Sequence, residues 1–133
     1  MTVQTLRAAP IAPRLIYTLD AVVCLAMGLA LVGLSVPLAE LVGTLPPAIL
    51  FWAGVVLVPW AAFNLYTARA RTIAPGVVAV HLLGDAAWAV GSAVVLVAFA
   101  AGLNVFGFIL IAGQAVAVAG VFALKLATRH ALG

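Results

Sequence analysis

Residues 77–101 read VVAVHLLGDAAWAVGSAVVLVAFAA, and this stretch decides the fold class. It is almost continuously apolar, and its few polar side chains include His81 and Asp85. A membrane-spanning helix needs about 20 mostly apolar residues, because each residue advances about 1.5 Å through a hydrocarbon core of about 30 Å. Membrane β-strands instead alternate apolar and polar residues over about ten positions. The stretch therefore predicts a transmembrane helix.

Three further apolar runs of similar character occupy most of the remaining chain. Together the runs predict spans at about 15–35, 48–66, 77–101 and 105–124. Turns rich in proline and glycine separate the spans, and Pro37, Glu40 and the following residues are expected to break the chain after the first one. We therefore predict that residues 1–133 form a single domain, an all-α bundle of four antiparallel transmembrane helices.

The composition excludes several classes of protein. Of the 133 residues, 68% are hydrophobic and 7% are charged, whereas soluble domains carry about 45–50% apolar and about 25% charged residues. A soluble enzyme and a disordered chain are therefore excluded. The single cysteine, Cys24, excludes an internal disulfide and a cysteine-based metal cluster. We expect the first span to be retained, because it is longer than a signal peptide, contains Asp20 and lacks a clear A-x-A site.

The basic residues predict how the bundle is oriented. Turns that face the cytoplasm carry an excess of Lys and Arg. In this chain the basic residues fall only in the N-terminal tail, in the turn between the second and third spans, and after the fourth span. Both termini and the turn between the second and third spans are therefore predicted to lie on the cytoplasmic side of the membrane. The basic residues are Arg7, Arg14, Arg69, Arg71, Lys125 and Arg129.

Each span carries at least one polar residue, and these residues lie at the centre of the membrane or toward the predicted cytoplasmic side. A charged side chain at the centre of a span costs about 2.5–3.5 kcal/mol on insertion scales, so it is expected to face the bundle interior. We predict that Asp85 pairs with His81 one turn away, and that other polar side chains complete a pocket with Gln114 as its ceiling. The predicted cluster comprises Asp85, His81, Asp20, Asn64, Gln114, Trp88 and Ser92.

Two interpretations of these polar residues stay open. Asp85 is either a carboxylate that carries a proton or binds a ligand, or one that fixes helix packing through a hydrogen bond. His81 is expected to be a partner of an aspartate rather than a metal ligand, and Asn64 and Gln114 are expected to join helices.

Small residues predict where helices pack closely. Gly113, Ala117 and Gly120 lie near one another on the fourth span, and Gly84 and Gly91 lie beside the polar face of the third. Small side chains allow the backbones of membrane helices to approach each other. All five residues are therefore predicted to contribute to helix packing.

The same residues argue against enzyme chemistry. Ser92, His81 and Asp85 share one helix face, but Ser92 lies about 16 Å along the axis from His81, too far to be activated as a nucleophile. The sequence offers no recognised set of ligands for a haem or for a metal ion. We therefore expect no catalytic residue, no metal, no cofactor and no nucleic-acid partner.

Three short motifs resemble a group of small bacterial four-helix integral membrane proteins of uncharacterised function. They are Val58-Pro59-Trp60-Ala61-Ala62, the segment Asp85-Ala86-Ala87-Trp88 with Gly91-Ser92, and Gly113-Gln114-Ala115-Val116-Ala117-Val118-Ala119. The resemblance implies a four-helix fold in the inner membrane and implies no activity. Members of that group commonly carry asparagine at the position of Asp85. Small multidrug transporters are similar in size only.

These observations predict a non-enzymatic membrane protein whose polar cluster binds a small ligand or a membrane partner. One alternative is a dimeric, proton-coupled transporter of small solutes in which Asp85 or Asp20 carries the proton. A second alternative is an accessory subunit or scaffold of a larger membrane complex, docked through the small-residue face of the fourth helix.

Overall fold

The structure is a computed structural model, and it describes residues 12–132, with side chains described for residues 12–130. The described chain is all helical. It consists of α1 (Pro13–Gly33), α2 (Ser35–Val42), α3 (Pro47–Arg69), α4 (Pro75–Ala98), α5 (Val105–Thr128) and a short 3-10 helix (Arg129–Leu132). Arg7, which contributes to the predicted orientation, lies outside the described residues.

Four of these helices, α1, α3, α4 and α5, are long and apolar enough to cross a membrane. The prediction of four such helices is confirmed. The prediction that the chain simply turns after the first span is wrong, because residues 35–42 form α2. The third predicted span extends too far, since α4 ends at Ala98 and the carbonyl of Phe99 then accepts hydrogen bonds from the turn.

Local sequence explains where the helices begin. Proline occupies the first turn of α1, α3 and α4 at Pro13, Pro47 and Pro75. A proline is tolerated there because the first turn has no intrahelical partner for its N–H group. Asn104 begins α5, since its side chain accepts a hydrogen bond from the Gly107 N–H at 2.7 Å. The helix α3 continues through Pro59.

The pair α1 and α3 forms the most extensive helix contact in the described chain. Two glycines make this approach possible. A β-carbon on Gly54 would lie 2.7 Å from the Gly28 carbonyl oxygen, and one on Gly28 would lie 3.1 Å from the Leu57 side chain. Larger side chains at these positions would separate the two backbones. The second pair of helices consists of α4 and α5, which pack mainly on each other.

Backbone hydrogen bonds join the two pairs at the end where α2 meets α5. The Thr44 N–H donates to the Gly102 carbonyl at 2.8 Å, and the Asn104 N–H donates to the Val42 carbonyl at 3.0 Å. Gly43 lies between these bonds with a backbone φ angle of 132°, which residues other than glycine rarely adopt. This short connection therefore requires glycine.

Arg14 joins helices at the opposite end. Its guanidinium donates to the carbonyls of Ala68 at 3.0 Å and Arg71 at 3.1 Å, and also to that of Ala70. The last carbonyls of a helix have no intrahelical donor and carry partial negative charge. Arg14 at the start of α1 therefore stabilises the end of α3 and the turn that follows it.

Candidate functional site

One of the fully buried polar side chains is that of Lys125, near the end of α5. It is 0% exposed, and its ammonium contacts side chains from the other three membrane-length helices. Nζ lies 2.8 Å from Asp20 Oδ2, 3.0 Å from Asp85 Oδ2, 3.1 Å from Asn64 Oδ1 and 3.3 Å from His81 Nδ1. We call these five residues the Lys125 cluster.

Aromatic rings surround the Lys125 cluster. Nζ lies 5.0 Å from the centroid of the Tyr17 ring and 5.8 Å from that of Trp60. The His81 ring stacks on Phe63, with centroids 4.2 Å apart and planes 9° apart. An ammonium near the face of an aromatic ring is attracted by the ring quadrupole, and the attraction is stronger where water is excluded.

The hydrogen bonds around His81 define its tautomer. The Thr67 hydroxyl donates to the Phe63 carbonyl at 2.9 Å, so its oxygen is the acceptor in the 2.8 Å contact with His81 Nε2. Nε2 therefore carries the ring proton, and Nδ1 is free to accept from the Lys125 ammonium. We assign His81 as a neutral ring on this network.

The two aspartates of the cluster differ in their hydrogen bonds. Asp20 Oδ2 accepts from Lys125, and Asp20 Oδ1 accepts from the Cys24 thiol at 3.4 Å. Asp85 Oδ2 lies within ion-pair distance of Lys125 but has no hydrogen bond within the described residues, and its side chain is 4% exposed. The Lys125 ammonium is within hydrogen-bonding geometry of Asp20, Asn64 and His81, whereas its contact with Asp85 Oδ2 is an ion pair.

The charges of the cluster do not balance. One ammonium faces two carboxylates, and Asn64 and His81 contribute no charge. An uncompensated charge is costly in a dry interior. The cluster can reach neutrality by binding one proton at a carboxylate, and Asp85 Oδ2 has the free position for it.

A second polar group lies farther along α4 and α5. Gln114 Oε1 accepts from Trp88 Nε1 at 2.7 Å, and Gln114 Nε2 donates to Ser92 Oγ at 2.7 Å and to the Ile111 carbonyl at 3.0 Å. Ser92 Oγ in turn donates to the Trp88 carbonyl at 2.9 Å. We call Trp88, Ser92 and Gln114 the Gln114 group.

The structure thus divides the predicted polar cluster in two. Asp20, Asn64, His81 and Asp85 come together around Lys125. Trp88, Ser92 and Gln114 form the separate Gln114 group, so the prediction of Gln114 as the ceiling of one pocket is wrong. The predicted Asp85–His81 pair is also wrong, because both side chains contact the Lys125 ammonium and no hydrogen bond joins them within the described residues.

Lys125 itself is the residue that the sequence interpretation missed. The pattern of basic residues predicts that it lies at the cytoplasmic end, as basic residues after a last span usually do. A signal was present, because Lys125 is the single lysine of the chain and lies on the same α5 face as Gln114. Within residues 12–132, no group of three or more His, Cys, Asp or Glu residues has an arrangement that could hold a metal ion.

The predicted packing residues behave differently from one another. A β-carbon on Gly84 would collide with the Trp60 ring, so Gly84 lies at a close helix contact. Gly91, Gly113 and Gly120 have open space around the position of a β-carbon, and Ala117 is exposed. Their predicted role in packing within the described chain is wrong for this reason. Gly28 and Gly54 make the close helix contact instead.

Comparison of the chain with protein-family models, with curated proteins and with solved structures gives no match. The four candidate spans and the Lys125 cluster indicate a helical, multi-pass membrane protein with a buried polar cluster.

Proposed function

We propose that this chain is a non-enzymatic protein of the bacterial inner membrane whose Lys125 cluster binds one proton, the smallest ligand that the site can take. The observation that carries the proposal is the placement of one ammonium between two carboxylates in a fully buried position. Asp85 is the carboxyl that carries the proton, since its Oδ2 atom has no hydrogen bond while both Asp20 oxygens accept one.

Infrared difference spectroscopy of the protein in lipid nanodiscs tests this proposal. A protonated carboxyl in a dry site gives a carbonyl band that disappears when the pH is raised and the proton leaves. We expect one such band in the wild-type protein and none in Asp85→Asn, with Glu40→Gln as the control that keeps the band. Absence of the band at every pH at which the protein is folded would refute proton binding.

The proposed topology has four antiparallel spans with both termini in the cytoplasm. It is supported by the distribution of Lys and Arg and by the Arg14 contacts with the carbonyls at the end of α3. Reporter fusions at the C-terminus, in the turn after Arg71 and beside Glu40 test it. The first two positions should report the cytoplasm and the third the opposite side.

A proton-binding site inside a membrane bundle is also what a proton-coupled transporter of small solutes needs, and such a transporter would consist of two copies of this chain. In proteoliposomes, a pH gradient that drives uptake of a solute in the wild-type protein, and fails to drive it in Asp85→Asn, would extend the proposal to that activity. Equal uptake by both proteins would separate the carboxyl from transport.

The uncovered face of α5 supports a second candidate function, association with another membrane protein as an accessory subunit. Gly113, Ala117 and Gly120 are exposed on this face, and small residues of this kind allow close helix approach. We expect Gly113→Leu with Gly120→Leu to abolish co-purification of a partner. Gly91→Leu, at an equally open position on α4, is the matched control and should retain it.

A further inference from the structure

A cavity lies beneath the turn between α3 and α4, at the end of the molecule that holds the Lys125 cluster. Its volume is about 150 Å³, and Thr67, Thr72, Ile73 and Ala74 are among the residues that line it. A water molecule occupies about 30 Å³ in the liquid, so the cavity has room for several. Thr72 and Ala74 are exposed at its mouth, whereas Thr67 at its inner wall is fully buried.

A chain of close polar contacts leads inward from this wall. The Thr67 oxygen lies 2.8 Å from His81 Nε2, and Nδ1 on the other side of the same ring lies 3.3 Å from Lys125 Nζ. Lys125 Nζ lies 3.0 Å from Asp85 Oδ2. The first and last of these distances lie within the range of about 2.6–3.2 Å over which neighbouring groups exchange protons, and the His81–Lys125 distance lies just above it.

We propose that this cavity is the aqueous entrance to the Lys125 cluster, and that Thr67 and His81 pass the proton between its water and the cluster. The proposal rests on proton binding by the cluster, proposed above. Thr67 and His81 conduct the proton, and Asp85 holds it.

The transfer conserves protons at each step. On release, the Lys125 ammonium gives a proton to His81 Nδ1 and takes the proton of Asp85 Oδ2. His81 Nε2 gives its proton to the Thr67 oxygen, and the Thr67 hydroxyl, turned away from the Phe63 carbonyl, gives its own proton to water in the cavity. His81 then holds its proton on Nδ1, and uptake returns the ring proton to Nε2. Uptake is the reverse sequence.

The groups around Asp85 fit this role. Lys125 faces it from α5, Asp20 and Tyr17 lie across the cluster on α1, and the neutral amide of Asn64 comes from α3. Asp20 offers a competing route, because its side chain is 11% exposed. Exposed apolar residues such as Leu19 and Val23 flank it on α1, and apolar residues on a membrane-length helix are expected to meet acyl chains rather than water.

Stopped-flow pH jumps on the protein in nanodiscs test the proposal, with tryptophan fluorescence as the readout because Trp60 lies beside the cluster. The signal is assigned to the cluster by its loss in Asp85→Asn. We expect Thr67→Val to slow the response at least about tenfold, equivalent to about 1.4 kcal/mol in the barrier, while the infrared end point still shows one protonated carboxyl. Thr67→Ser should restore the rate. Thr72→Val changes a cavity residue outside the chain of polar contacts and should leave the rate unchanged.

Ala74→Trp provides a second variant if Thr67→Val does not fold, since a large side chain at this exposed lining position narrows the cavity while Thr67 and His81 keep their own side chains. It should also slow the response. A wild-type rate in Thr67→Val would overturn the proposal, as would a wild-type rate in Ala74→Trp where Thr67→Val does not fold. The proton would then enter beside Asp20. Proton binding by the cluster would still stand if the infrared band is present. Absence of that band in the wild-type protein would overturn both proposals.

Discussion

The Lys125 cluster and the Gln114 group contrast two ways of burying polar side chains in one bundle. The Gln114 group is neutral, joins α4 to α5, and each side-chain polar atom of Gln114 has a partner. The Lys125 cluster joins all four membrane-length helices, holds three ionisable side chains that form ion pairs, and leaves Asp85 Oδ2 without a hydrogen bond. A satisfied neutral group stabilises one arrangement, whereas an unsatisfied charged group can respond to a proton.

The largest difference between the two regions should appear when the central residue of each is removed. Lys125→Met leaves the Asp20 carboxylate without its ammonium beside the protonated Asp85, and breaking a buried ion pair in this way costs about 3–5 kcal/mol. We expect a large fall in unfolding free energy, measured by chemical unfolding in detergent. Arg129→Met, which removes an exposed cation one turn later, is the control and should change little.

Adding Asp20→Asn and Asp85→Asn to Lys125→Met should recover most of that loss, because neutral groups carry no unpaired charge. If the triple variant is no more stable than Lys125→Met alone, packing rather than charge explains the cost.

The next effect separates the two aspartates within the cluster. Asp20→Asn removes a charged acceptor of Lys125 and should cost about 1.5–3 kcal/mol, the usual range for hydrogen bonds to charged groups. Asp85→Asn resembles the protonated carboxyl and should cost under about 1 kcal/mol. Thermal unfolding of both variants at one pH makes the comparison, and the reverse order would place the proton on Asp20.

A smaller effect is expected in the Gln114 group. Gln114→Leu loses the hydrogen bonds to Trp88 and Ser92, and interhelical hydrogen bonds in membranes average about 0.6 kcal/mol each. The expected loss is therefore about 1–2 kcal/mol, with Val116→Leu on the exposed side of α5 as the control. A loss as large as that of Lys125→Met would remove the contrast between the two regions.

The smallest effect should come from Ser92→Ala. Gln114 Nε2 keeps its hydrogen bond to the Ile111 carbonyl, and Oε1 keeps that from Trp88. One bond between helices is lost, together with the bond from Ser92 Oγ to the Trp88 carbonyl within α4, so the expected change is about 0.6 kcal/mol in the same unfolding assay. A loss above about 1.5 kcal/mol would mean that Ser92 supports more than Gln114.

The sequence by itself predicted the four membrane-length helices, because length and apolar character along one chain are enough to identify them. It also predicted that Asp20, Asn64, His81 and Asp85 would meet, since polar side chains on different spans avoid lipid and face one another. The short helix α2 was not predicted, because a stretch with proline and a carboxylate reads as a turn when the contacts that support it are unknown.

Only the tertiary structure decided which polar residues share a site and which residue lies at its centre. Lys125 follows an apolar span in the position of an ordinary cytoplasmic anchor, and only the rotation and depth of α5 against α1, α3 and α4 bring its ammonium between two carboxylates. The same rotation separates Gln114 from that site and leaves Gly113 and Gly120 uncovered. The rotation and depth of a helix depend on packing between segments that are distant in the chain. The pattern of apolar and polar residues along one segment therefore cannot predict them.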